Sequence, residues 1–143
     1  MKVLILCTGN SCRSQMAHGF LQALAPGYEV FSAGTHPAKE VHPFAVQVMA
    51  ELQIDISKHQ PRSVNQYLLE PWDLVWTVCG DAEENCPLFT GQVGKQIHLG
   101  FADPARFSGT PEEVLQGFRQ VRDEIGSVCN RLINKKEAGC HLD

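Results

Sequence analysis

Nowhere in the 143 residues does an apolar run approach the ~20 needed to cross a bilayer. The N-terminal stretch Val3-Leu4-Ile5-Leu6 is four residues long, short of the ~7–15-residue core of a secretory signal. There is no basic block, and 12 Lys+Arg against 16 Asp+Glu leave a net charge of −4, so a nucleic-acid surface is not expected. No Cys-x-x-C pair and no two histidines at i, i+4 occur, which removes zinc ribbons, thioredoxin-type motifs and zincin helices. Internal repeats, low-complexity segments and linkers are also missing. These absences point to a cytosolic, single-domain protein that touches neither membrane nor nucleic acid and holds no metal or cofactor.

What the chain has is six cysteines, at 7, 12, 79, 86, 129 and 140. Cytosolic reductants keep thiols reduced, so a permanent disulfide framework does not account for them. Redox chemistry, nucleophilic chemistry and plain burial remain.

The apolar pattern alternates between strand and helix. Residues 3–6 read as a strand buried on both faces, residues 14–25 as a helix stopped by Pro26-Gly27, and residues 28–32 as a second strand. His42-Pro43 starts a second helix with Phe44, Val48 and Leu52 on one stripe, and Ser63 caps a short helix through Leu69. Strands follow at 73–78 and 96–101. Thr110-Pro111-Glu112-Glu113 combines a cap, a proline at the first helical position and a glutamate three residues after the cap. The helix it opens carries Val114, Phe118, Val121, Ile125, Val128 and Leu132 on one face. The expected fold is therefore α/β: one domain over residues 1–134, a four-stranded mainly parallel sheet flanked by helices, and a polar tail over 135–143.

The chemistry gathers where the first strand meets the first helix. Cys7-Thr8-Gly9-Asn10-Ser11-Cys12-Arg13-Ser14 contains Cys-x5-Arg, with Gly9 and Asn10 able to take left-handed backbone in a tight loop. Such a loop, ending at a helix N-terminus, offers N–H groups and a dipole to an anion. Arg13 adds a fork for two oxygens, and the same field favours the thiolate of Cys7. Cys79 ends the strand at 73–78 as Cys7 ends its own, so both thiols face one crevice if the two strands are neighbours. Cys86 follows on a polar stretch. Asp103-Pro104 supplies either a proton donor or a simple turn opener.

Residues 7–17 (Cys-Thr-Gly-Asn-Ser-Cys-Arg-Ser-Gln-Met-Ala), Ser32-Ala33-Gly34-Thr35, Thr77-Val78-Cys79, Asn85-Cys86-Pro87 and Phe101-Ala102-Asp103-Pro104 together resemble the thioredoxin-coupled arsenate reductases of the low-molecular-weight protein tyrosine phosphatase fold. The segment Phe118 to Ile125 shares the resemblance, which runs from Lys2 to about Leu132. It implies that the loop at 7–14 binds arsenate, with phosphate or sulfate as competitors. It also implies that Cys7 attacks arsenic, that Ser14 supports the thiolate, and that Asp103 protonates the departing oxygen. Cys79 then takes the sulfur of Cys7 into a disulfide, Cys86 moves that disulfide outward, and thioredoxin reduces it. Cys12 matches a cysteine carried by reductases and phosphatases alike, which suggests support rather than catalysis.

Two other readings stand beside this one. A phosphotyrosine phosphatase uses Cys7, Arg13 and Asp103 in the same way, but the chain has only Tyr28 and Tyr67, and Ala105-Arg106-Phe107 follows Asp103-Pro104 in place of paired tyrosines. A non-catalytic redox or oxyanion sensor needs only the Cys79/Cys86 pair. Some members of the family hold potassium beside the loop through residues matching Asn10 and Ser32 and two acids. Here His18 and Arg62 stand at the acidic positions, so independence of potassium is expected, with Arg62 able to bond Asn10 or Ser32 if it turns inward.

Overall fold

The computed structural model describes residues 1–78 and 89–137. The elements are β1 (Lys2–Cys7), α1 (Arg13–Leu24), β2 (Glu29–Gly34), α2 (Pro43–Ala50), a 3-10 turn at Val64–Tyr67, β3 (Trp72–Thr77), β4 (Val93–His98), a second 3-10 turn at Pro104–Arg106, and α3 (Pro111–Glu137). The four strands form one parallel sheet in the order β2-β1-β3-β4. β1 is central, and Val3 to Cys7 are all buried, as its unbroken apolar run requires. The chain leaves β1 for β2 on one side and returns through β3 on the other, so the carboxyl end of β1 is where strand order reverses. In open parallel sheets that is where ligands sit.

β4 lies three residues earlier than the sequence pattern suggests. It is the edge strand, with alternate residues exposed, whereas the apolar residues that drew the expectation toward 96–101 include Leu99 and Phe101, which follow the strand's end at His98 and keep only single backbone bonds to Thr77 and Val78. α2 also differs. Its buried face is Ala45, Val48 and Met49, and Leu52 is exposed, because the helix ends at Ala50 and Gln53 turns the chain at φ 62°.

α3 holds its expected start: Thr110 Oγ1 accepts the Glu113 N–H at 3.2 Å and donates to that glutamate's carboxylate at 3.1 Å. The buried stripe is Leu115, Phe118, Val121, Ile125, Val128, Cys129 and Ile133. Val114 and Leu132 sit at its edge, and Cys129 is core. The helix continues through Glu137, so residues 135–137, expected to open a tail, are still helical.

Arg122 ties α3 to α2. Although buried, it donates to the Val48 carbonyl at 2.9 Å and to Glu51 at 2.7 Å, while Arg119 forks onto the same carboxylate at 2.8 Å. Among the described residues no helix is long and apolar enough to cross a membrane.

Candidate active site

Each carbonyl from Cys7 to Cys12, in the turn between β1 and α1, has a partner behind the loop. Cys7 O accepts Thr35 N at 3.2 Å, Thr8 O accepts His36 N at 2.9 Å, Gly9 O accepts Ala38 N at 2.8 Å, and Ser11 O accepts His42 N at 2.9 Å. Cys12 O accepts Met16 N at 2.9 Å, the first bond of α1. The Asn10 carbonyl is held by a side chain, Gln15 Nε2, at 3.1 Å. A trans peptide points its C=O and N–H in opposite directions, so each carbonyl held back turns the next N–H toward the front. None of the described residues accepts a hydrogen bond from an N–H between Gly9 and Ser14. The result is a ring of donors at a helix N-terminus, the arrangement that binds tetrahedral oxyanions.

Two residues allow the loop to close this tightly. Asn10 takes the left-handed conformation at φ 52°, as its residue type permits. Its side chain is fully buried and satisfied, donating to Ser14 Oγ at 2.8 Å and accepting the Arg62 N–H at 2.9 Å. Gly34, opposite Cys7 in the β1–β2 register, lies under the loop, where a Cβ would stand 2.5 Å from Thr8 O. Sequence reading gives the segment after β2 no role in the loop, yet its N–H groups at 35, 36, 38 and 42 set the loop's shape. Backbone donors leave no residue-type signature.

Cys7 is buried at the strand end, 3% exposed, at the foot of this ring. Arg13, the first residue of α1, reaches across to the far wall, donating to the Phe101 carbonyl at 3.2 Å and standing 3.5 Å from Asp103 Oδ2. Its Nε is buried with no acceptor, a donor left over for a bound anion. Asp103 caps the Pro104–Arg106 turn, its Oδ1 accepting the Ala105 N–H at 3.0 Å. The cap and the charged oxygen are thus separate atoms of one carboxyl: Oδ1 holds the turn while Oδ2 faces Arg13. Ser14 is fully buried and accepts from Asn10, which leaves its hydroxyl proton to donate.

The other described thiols have different environments. Burial pushes Cys12 up to about 11 and Cys129 up to about 12. Both are protonated at neutral pH, the form less suited to attack than a thiolate. For Cys12 the Ser11 hydroxyl, 3.7 Å away, lowers the value only partly. The sequence condition for Cys79 was that β1 and β3 be neighbours, and they are: Leu6 stands opposite Thr77, and Val78 N donates to Leu6 O at 2.9 Å. Cys79 and Cys86 themselves lie outside the described residues, as does Cys140.

Behind the loop lies a polar layer around a cavity of about 460 Å³. His18 Nδ1 is 2.8 Å from Ser32 Oγ, its ring lies 4.5 Å from that of His59, and His59 Nδ1 is 3.0 Å from Gln15 Oε1. Burial, helped by His59 and Arg62, pushes His18 down to about 3, so it is neutral. Arg62 meets Asn10 through its backbone N–H and not its guanidinium; the residue is exposed.

The model of the family described as low molecular weight phosphotyrosine protein phosphatase matches residues 2–139. A protein of Bacillus subtilis named arsenate reductase is 47% identical over 138 residues, covering 96% of each chain. A solved arsenate reductase in its phosphate-binding state is 32% identical with a TM-score of 0.77, covering 94% of this chain and 97% of that one. The solution structure of a low molecular weight protein tyrosine phosphatase from Bacillus subtilis, 22% identical with a TM-score of 0.76, shares the fold. With a family model matched over nearly its whole length and relatives close to half identical, this chain belongs to the low molecular weight phosphotyrosine protein phosphatase family.

Proposed function

We propose that this protein reduces arsenate to arsenite in the cytoplasm, as part of arsenic detoxification, by a relay through Cys7, Cys79 and Cys86. The observation that carries the reading is the ring of outward-held carbonyls and inward N–H groups around Cys7, completed by Arg13, in a chain 47% identical to a protein named arsenate reductase. Arsenate is tetrahedral and anionic, so its oxygens suit the loop from Thr8 to Ser14 and the Arg13 guanidinium. The Cys7 thiolate attacks arsenic and forms an As–S bond, while an oxygen leaves as water with a proton from Asp103.

The Cys79 thiolate then attacks the Cys7 sulfur. The electron pair of the As–S bond passes to arsenic, which leaves as arsenite, As(III), and a Cys7–Cys79 disulfide remains. Cys86 attacks Cys79, Cys7 departs as thiolate, and the Cys79–Cys86 disulfide is reduced by a dithiol protein of the thioredoxin kind. Water can also cleave a phosphocysteine on Cys7, so a weak phosphatase activity accompanies the fold.

The test is NADPH oxidation dependent on arsenate, thioredoxin and thioredoxin reductase, run beside aryl-phosphate hydrolysis. Arsenate-driven oxidation that outpaces the hydrolysis is the expected result. Fast aryl-phosphate turnover with no arsenate-dependent oxidation makes the protein a phosphatase, and inactivity in both assays leaves only a sensor.

A further inference from the structure

Of the six carbonyls that shape the anion loop, five are held by main-chain N–H groups and Asn10's is held by a side chain. We propose that Gln15 is a positioning residue for the oxyanion site: by holding the Asn10 carbonyl behind the loop, it aims the Ser11 N–H at the bound anion. The 10–11 peptide is the vulnerable one, because Asn10 is left-handed and no neighbouring strand or segment pairs with its carbonyl. Gln15 lies on the first turn of α1 and is 1% exposed, a polar side chain among the buried residues of that helix.

Its amide orientation follows from its neighbours. Two carbonyl oxygens, Asn10 O at 3.1 Å and Gln60 O at 3.4 Å, need the NH₂ end. Oε1 therefore faces His59, whose Nδ1, 3.0 Å away, carries the donated proton. His59 in turn lies against His18. Without the Gln15 donor, the Asn10 carbonyl is a buried acceptor with no partner, and the peptide gains by rotating. Rotation puts a carbonyl oxygen where the anion needs an N–H, so an attraction becomes a repulsion.

The inference rests on the loop being an oxyanion site, and its test is separate from arsenate turnover. Gln15→Met keeps the length and burial of the side chain and removes the donor; Gln15→Glu keeps the shape and replaces the NH₂ with an acceptor. Inorganic phosphate is titrated into each reduced full-length protein, with affinity read by calorimetry and the loop amides by ¹H–¹⁵N spectra. We expect the phosphate Kd to rise about tenfold or more in both variants. The Ser11 amide should lose its response to phosphate while the Gly9 and Asn10 amides keep theirs, a residue-specific pattern that general loosening of the fold does not produce.

A folded variant that binds phosphate within about twofold of the wild type, with the Ser11 amide still responding, overturns the inference and leaves the proposed function standing. Wild-type protein that binds phosphate yet does not reduce arsenate removes the function and leaves this inference standing.

Discussion

At the scale of single residues, the division of labour among the thiols rests on where each sulfur meets charge and water. Cys7 ends a buried strand beneath a ring of N–H groups, while Cys12 and Cys129 are pushed up to about 11 and about 12 by burial. Cys7→Ser should therefore abolish both arsenate reduction and aryl-phosphate hydrolysis: a serine hydroxyl stays protonated there and has no sulfur electrons to give. Arsenate turnover well above background in that variant removes Cys7 from the mechanism. Cys86→Ser should allow about one arsenite per enzyme in a rapid-quench assay and then stall, with Cys7 locked to Cys79 and out of a reductase's reach. Its aryl-phosphate hydrolysis, measured under reducing conditions, should survive. Repeated thioredoxin-driven turnover would show that Cys86 is not the shuttle. Cys7, Arg13 and Asp103 were legible in the sequence because each sits in a short motif, Cys7 and Arg13 in the Cys-x5-Arg between a strand and a helix and Asp103 in an Asp-Pro turn opener. Gln15 was not: it stands within the stretch that carries the resemblance, but its residue type suggests no role there until the Asn10 carbonyl is seen accepting its amide.

At the scale of elements, the loop depends on the segment after β2 and on the turn before Val64. Asn10 Oδ1 accepts the Arg62 N–H, and Ser32 Oγ is engaged by His18. The Asn10 and Ser32 oxygens are thus already bonded to nitrogen groups, and neither a histidine ring nor a backbone N–H supplies an oxygen ligand to a hard cation. Exchanging potassium for sodium at equal ionic strength should leave the melting temperature and the arsenate KM nearly unchanged; a potassium-specific rise of several degrees would count against this. Gly34→Ala tests the same packing from below. Its Cβ would stand 2.5 Å from Thr8 O, which is backbone and has little room to yield. A destabilisation of about 1–3 kcal/mol in urea denaturation is expected, together with weaker phosphate binding. The succession of strands and helices and the helix starts were readable from apolar runs and caps, whereas the order of the strands in the sheet was not. The edge strand β4 was misplaced because half of its side chains face solvent and its run is broken by Gly94 and Lys95.

At the scale of the whole molecule, acid should unfold this protein earlier than its carboxylates alone would dictate. His18 is held neutral down to about pH 3 by burial, and His59 is lowered by the same cause, whereas both take up a proton near pH 6.5 in the unfolded chain. Between those values the unfolded state binds more protons, so stability is full above pH 6.5 and falls as pH drops below it, by about 1.4 kcal/mol per pH unit for His18. Thermal melts between pH 7 and 5 should show the fall, about 4 °C per unit from this group in a domain of this size. His18→Gln should flatten it, and equal slopes in the two proteins would assign the acid sensitivity elsewhere. The loop's outward-held carbonyls carry a different consequence. A ring of backbone donors meets the charge and tetrahedral shape of an anion and not the element at its centre, so on the proposed reading phosphate competes with arsenate for the loop. If so, the enzyme cannot choose its substrate by affinity and must spend much of its time occupied by the commoner anion. Selection falls to the step after binding: arsenic bonded to sulfur can accept an electron pair and leave, whereas phosphorus cannot. On that reading the two elements are sorted by which can be reduced, not by which is held.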